Sequence, residues 1–128
     1  MIRACKRIYV VVIAAAAGSL LAPALAFAGD AAAGKKVYEV NCVSCHGTTG
    51  KGDGPVGVAL DPRPRDFSTA EFKFDTNGDG TAGSDVDLAG VIKNGGGKYG
   101  GSPLMAPWAH LPDSDIQNLI AYIRTLKQ

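Results

Sequence analysis

The chain has 128 residues, 46% of them hydrophobic and 20% charged, with thirteen Lys and Arg against twelve Asp and Glu for a formal net charge of +1. That balance, with no basic run and no interleaving of basic and aromatic residues, excludes the electrostatic footprint of a nucleic-acid-binding protein. The length allows one domain with one core and not two.

The first 28 residues read as a secretory signal. Arg3, Lys6 and Arg7 give a basic start, an apolar run spans 8–22, and Ala26-Phe27-Ala28 forms an A-x-A cleavage pattern before Gly29. The apolar run is shorter than the about 20 residues a spanning helix needs, so export without stable membrane insertion is expected. Residues 29–128 then form the single domain, with ten Lys and Arg against twelve Asp and Glu. Cys5 departs with the signal, leaving only Cys42 and Cys45. Two cysteines this close together cannot tie a fold as a disulfide framework does, so they call for a chemical role.

The stretch from Asp30 to Asn41 begins with a helix-capping acid and carries Val37, Tyr38 and Val40, which predicts a helix running into the cysteines. From Gly47 to Pro64 glycine and proline are dense, predicting ordered loops. The conformation of 67–74 stays open, and Asp75 to Gly80 reads as a tight turn. Ser84 and Asp87 stand in a near capping-box pattern ahead of Leu88, Val91 and Ile92, with Asn94-Gly95 as the stop. A glycine-rich loop containing Met105 follows, and a final helix starts at Pro112–Asp115, with Ile116, Leu119, Ile120, Ile123 and Leu126 at helical spacing. No alternating strand and no internal repeat is present, so the expected class is all-α, three or more helices joined by long loops. Loops of this length need something to pack on, and a large buried cofactor would supply it.

Cys42-Val43-Ser44-Cys45-His46 is the C-x-x-C-H arrangement of covalent c-type haem attachment. One helical turn brings both sulfurs to one edge of a porphyrin and puts His46 under the iron. A thioredoxin-like redox pair needs a strand before the cysteines and a βαβ context, which is absent. A zinc site of Cys42, Cys45, His46 and His110 would require adjacent Cys45 and His46 to reach one tetrahedral ion. For the second axial position Met105 leads: it is the only methionine of residues 29–128 and sits between Pro103 and Pro107 in a stiffened loop that Trp108 could seal. His110 is the rival ligand.

On these residues the chain resembles the class I c-type cytochromes over nearly all of 29–128. In that family a helix carrying the haem motif crosses a C-terminal helix, and Gly34 and Tyr38 match the first, Leu119 and Tyr122 the second. The resemblance implies one haem c on Cys42 and Cys45, with His46 and Met105 on the iron, and a proline-loop carbonyl orienting His46, for which Pro55 and Pro62 both qualify. It also implies a periplasmic bacterial one-electron carrier of positive potential, not an enzyme, with redox proteins as donor and acceptor. The alternatives are a haem enzyme or gas or peroxide sensor with a displaceable Met105, and an electron-transfer subunit of a larger oxidoreductase. The lysines 35, 36, 51, 73, 93 and 98 are candidates for a basic docking face beside the reading of ordinary solvated surface. The departure from the family is the segment 66–87, where Asp75, Asn77 and Asp79 match the start of a calcium-binding loop but Val86 stands where a bidentate Glu is expected, which makes calcium a secondary candidate beside a solvated turn.

Overall fold

A computed structural model describes residues 28–128. The secretory signal expected at 1–28 lies outside the described residues except for Ala28. Four α-helices follow in order, α1 (Ala31–Asn41), α2 (Val43–His46), α3 (Asp85–Asn94) and α4 (Asp113–Thr125), with short 3₁₀ turns at Gly57–Ala59 and Gly96–Tyr99. No strand occurs among the described residues, in keeping with the all-α class, and no helix there is long and apolar enough to cross a membrane.

The helix α1 starts where Asp30 accepts hydrogen bonds from the backbone N–H groups of Ala32 and Ala33, satisfying donors that the first turn leaves free. It packs most extensively on α4. The approach is close because Gly34 lies against the Asn118 carbonyl, where any Cβ would collide with backbone. One turn on, Tyr38 is fully buried and tilts against Tyr122 at 5.1 Å between ring centroids. These are the crossing residues expected from Gly34, Tyr38, Leu119 and Tyr122.

The apolar stripe of α4 (Ile116, Leu119, Ile120, Ile123) is buried against Tyr38, Phe67 and the inner face of α3 (Leu88, Ile92). Asp113 and Asp115 in the first turn and Arg124 in the last complement the helix dipole. The expected capping box is formed at α3: Ser84 Oγ accepts from Asp87 N, and Asp87 accepts from Ser84 N at 2.9 Å. Gly95, at φ +80°, ends α3 as expected. The helix expected from Asp30 to Asn41 is α1 and runs up to the cysteines, where Cys42, at φ −120°, separates it from α2.

Candidate functional site

The short helix α2 carries Val43 to His46, and its last four carbonyls have no partner inside the helix. The following loop supplies all of them from its backbone. Gly47 N donates to Val43 O at 2.9 Å, Val56 N to Ser44 O at 2.9 Å, Gly54 N to Cys45 O at 3.3 Å, and Gly52 N to His46 O at 2.9 Å. Glycine is required for this closeness, since a Cβ on Gly54 or Gly57 would strike the carbonyls of residues 43–45. The Tyr38 hydroxyl donates to Gly47 O at 2.7 Å, linking the loop to the α1–α4 crossing. Burial raises the Tyr38 phenol well above its ordinary value, so it stays a donor.

Held this way, His46 is 9% exposed and its ring stacks on Phe67 at 4.6 Å and 16°. His46 Nδ1 lies 3.3 Å from the Arg65 carbonyl; with the proton on Nδ1, that atom donates to the carbonyl and Nε2 keeps its lone pair. The orienting carbonyl therefore belongs to Arg65, three residues after Pro62 and directly after Pro64, and not to Pro55 or Pro62 itself. Phe67 N bonds Gly50 O at 2.7 Å, which fixes the segment that presents this carbonyl to the loop after α2. Burial lowers the His46 pKa against the opposing pull of the Arg65 bond, which favours the neutral imidazole that binds metals.

Cys45, His46 and Met105 line one cleft of about 250 Å³, together with Phe67, Leu88, Val91 and Ile92. Cys42 lines a narrow extension of about 30 Å³ that shares His46 and Met105 and is closed by Trp108 and Leu111. Both cysteines are unpaired and half-buried. Burial, then the neighbouring Cys45, pushes the Cys42 thiol up to about 11, the opposite of the depressed pKa of a redox-active pair. Met105 is set by a backbone lattice in which Gly96 N donates to Met105 O at 3.0 Å and Met105 N to Ser102 O at 3.2 Å. His110 is exposed, its ring 5.5 Å from that of Trp108, and is absent from the cleft lining.

The residues fit a haem. The lining is mostly apolar, Gly96 and Gly101 leave its wall without side chains, and thiol, imidazole and thioether groups converge on it, the donors that attach and ligate haem c. Among the described residues no group of three or more His, Cys, Asp or Glu converges as an ion-holding set, at the cysteines or at 75–79. In the latter segment Asp75 accepts from the N–H groups of Gly78, Asp79 and Gly80, forming a turn closed on itself.

Three features of the site were not visible in the sequence: the Arg65 carbonyl, the Phe67 stack, and the place of Arg63 and Arg65 on the cleft lining. The aromatic at 67, two residues after Pro62-Arg-Pro-Arg65, was the available signal. Of the lysines considered for a basic face, Lys35 pairs with Glu39 and Lys93 with Asp113, while Lys73 reaches the cleft lining.

A family profile described as Cytochrome c matches residues 31–127. The chain is 39% identical over 102 residues to cytochrome c-554(547) of Halothiobacillus neapolitanus, covering 78% of this chain and 100% of that one. It is 32% identical to cytochrome c-554(548) of Halomonas halodenitrificans, covering 74% and 94% respectively. Among solved structures it resembles a chain of a reducing HAO-like protein complex of Kuenenia stuttgartiensis, with 29% identity and a TM-score of 0.63, covering 74% of this chain and 41% of that one.

Proposed function

The chain belongs to the cytochrome c family, and on that premise we propose that residues 29–128 act as a monohaem one-electron carrier in the bacterial periplasm. Its chemistry is electron transfer. When bound, haem c supplies an iron that exchanges one electron between its ferrous and ferric states. Cys42 and Cys45 would hold the group covalently, and His46 and Met105 would ligate its iron. The observation that carries this reading is the convergence of Cys45, His46 and Met105 on one apolar cleft, with Cys42 in its extension.

Each side chain has a defined task. His46 is presented neutral, its Nδ1 engaged by the Arg65 carbonyl and its ring plane fixed by Phe67. Met105 offers a neutral thioether from a loop fixed at Gly96 and Ser102, which favours the reduced state and a positive potential. Trp108 and Leu111 supply apolar lining beside Cys42. With His46 and Met105 both committed to the iron the site would offer no place for substrate, which supports a carrier rather than an enzyme, with redox proteins as its donor and acceptor.

The test is the visible spectrum, oxidised and reduced, of protein matured in a periplasm that attaches haem. Low-spin spectra with the weak far-red sulfur-to-iron band are expected, and Met105→Ala should lose that band while keeping the covalent haem. A band that survives in Met105→Ala would refute the assigned ligand. The likeness to a chain of a multi-protein complex favours a second reading, that the protein works as a subunit. Co-purification of a stoichiometric partner from the native source would support it, and elution at the monomer mass would support the free carrier.

A further inference from the structure

Among the residues lining the cleft, Asp87 is the only acid, and it is 1% exposed. The electron-transfer reading gives it no role, and α3 would need only an ordinary capping residue at this place. Its bonds are more than a cap. Thr76 donates to Oδ1 from its backbone N at 2.5 Å and from Oγ1 at 3.1 Å, and Ser84 donates to Oδ2 from N at 2.9 Å and from Oγ at 2.6 Å. Four donors and no acceptor describe a site for a carboxylate, not for a carboxylic acid. The Ser84 hydroxyl, then the Thr76 backbone, hold the group well below the usual carboxylate range against the cost of burial. The ion pairs among the described residues join other partners, so the groups in direct contact with this anion are dipoles, while the cations Arg63, Arg65 and Lys73 line the same cleft without pairing to it.

We propose that Asp87 is a fixed negative charge in the wall of the redox cleft that lowers the affinity of the site for an electron, and that Thr76 and Ser84 hold it there. The proposal rests on the electron-transfer reading given above. The step it acts on is the passage of one electron from a reduced donor protein into the cleft, the donor losing one electron and the site gaining one. No bond to Asp87 forms or breaks and no proton leaves it. Two unit charges about 10 Å apart at an effective dielectric of about 20 change an equilibrium constant about tenfold. An exposed charge at the same distance is screened and does far less.

The test uses the full-length, haem-loaded protein equilibrated against a mediator dye of known potential, with the melting temperature recorded in parallel. Asp87→Asn should move the equilibrium about tenfold toward the reduced form, about 59 mV for one electron. Asp85→Asn removes the same charge two residues away, at an exposed carboxylate paired with Arg124, and should shift it less than about twofold. An unchanged equilibrium in Asp87→Asn, or an equal shift in Asp85→Asn, overturns the proposal. Should Asp87→Asn fail to fold, Ser84→Ala decides: the carboxylate stays while one offsetting hydroxyl dipole goes, so the equilibrium should move about threefold toward the oxidised form. No movement, or movement the other way, overturns the proposal. A wild-type protein with no reversible one-electron couple would defeat the underlying reading instead, which separates the two failures.

Discussion

The loop that follows α2 and the loop that carries Met105 are both rich in glycine, yet they are held in different ways. The first donates its backbone N–H groups to the last four carbonyls of α2 and is fastened to the helix crossing through the Tyr38 hydroxyl. The second is fixed at its ends to α3, where Gly95 N bonds Val91 O at 2.9 Å and Trp108 N bonds Ile92 O at 2.9 Å; the rest of its backbone bonds to itself through Gly96, Gly97, Gly101 and Ser102, and the side chains of Lys98 and Tyr99 bond Asn94 of α3. The His46 side is thus bonded to the motif helix and the helix crossing, while the Met105 side is a strap whose backbone is anchored to one helix. On the proposed reading the imidazole ligand comes from the first and the weaker thioether from the second.

The sharpest way to break this comparison is to put the same methyl into each loop. Gly57→Ala drives a Cβ into the Cys45 carbonyl and should cost about 2–4 kcal/mol, or prevent folding, because backbone must move. Gly97→Ala meets only Pro103, at 3.2 Å, and should cost less than about 1 kcal/mol. Chemical denaturation of both variants decides, and equal costs would mean that the two loops are equally built in. A smaller effect is expected of Tyr38→Phe, which keeps the ring packing but removes one of the two bonds to the buried Gly47 carbonyl, leaving that from Gly50 N at 3.2 Å. A loss of about 1–2 kcal/mol in the same assay is expected, with the Met105 far-red band unchanged.

The mildest perturbation within working conditions is acid. The Asp87 pKa is depressed in the folded state, so the unfolded chain binds the proton more readily. The resulting stability is present above the ordinary carboxylate value, about 3.9, and is lost as pH falls toward the folded value. Asp66 adds in the same direction through its bonds from Ser68. The melting temperature should therefore decline below about pH 4, and the decline should be shallower in Asp87→Asn. An unchanged slope would show that α3, and with it the base of the Met105 strap, is not anchored by this carboxylate.

Much of this architecture was legible in the sequence because it rests on local chemistry. Asp30, the Ser84–Asp87 box and the period of Ile116 to Ile123 each specify a helix end or face without reference to the rest of the chain. The positions at Cys42, Cys45, His46 and Met105 were legible because spacing and rarity single them out, and the structure brings them to one cleft and its extension. What could not be read depends on closure of the chain on itself. The break at Cys42, the 3₁₀ turns at Gly57–Ala59 and Gly96–Tyr99, and the Arg65 carbonyl on His46 are main-chain events placed by distant contacts. The segment 67–74, left open by its sequence, has no regular structure: Phe67 and Phe72 are drawn to the core while Thr69, Glu71 and Lys73 stay exposed.

The loop after α2 also bears on how freely this protein can change. Its anchors are main-chain amides and a few obligatory glycines, whereas the side chains of Thr48, Thr49, Lys51, Pro55, Val56 and Val58 are exposed. Those positions carry none of the bonds that hold the motif helix through their side chains. A library randomised there should retain its folded fraction, so selection can reshape the outer face of the framework one residue at a time while the chemistry beneath it is inherited intact.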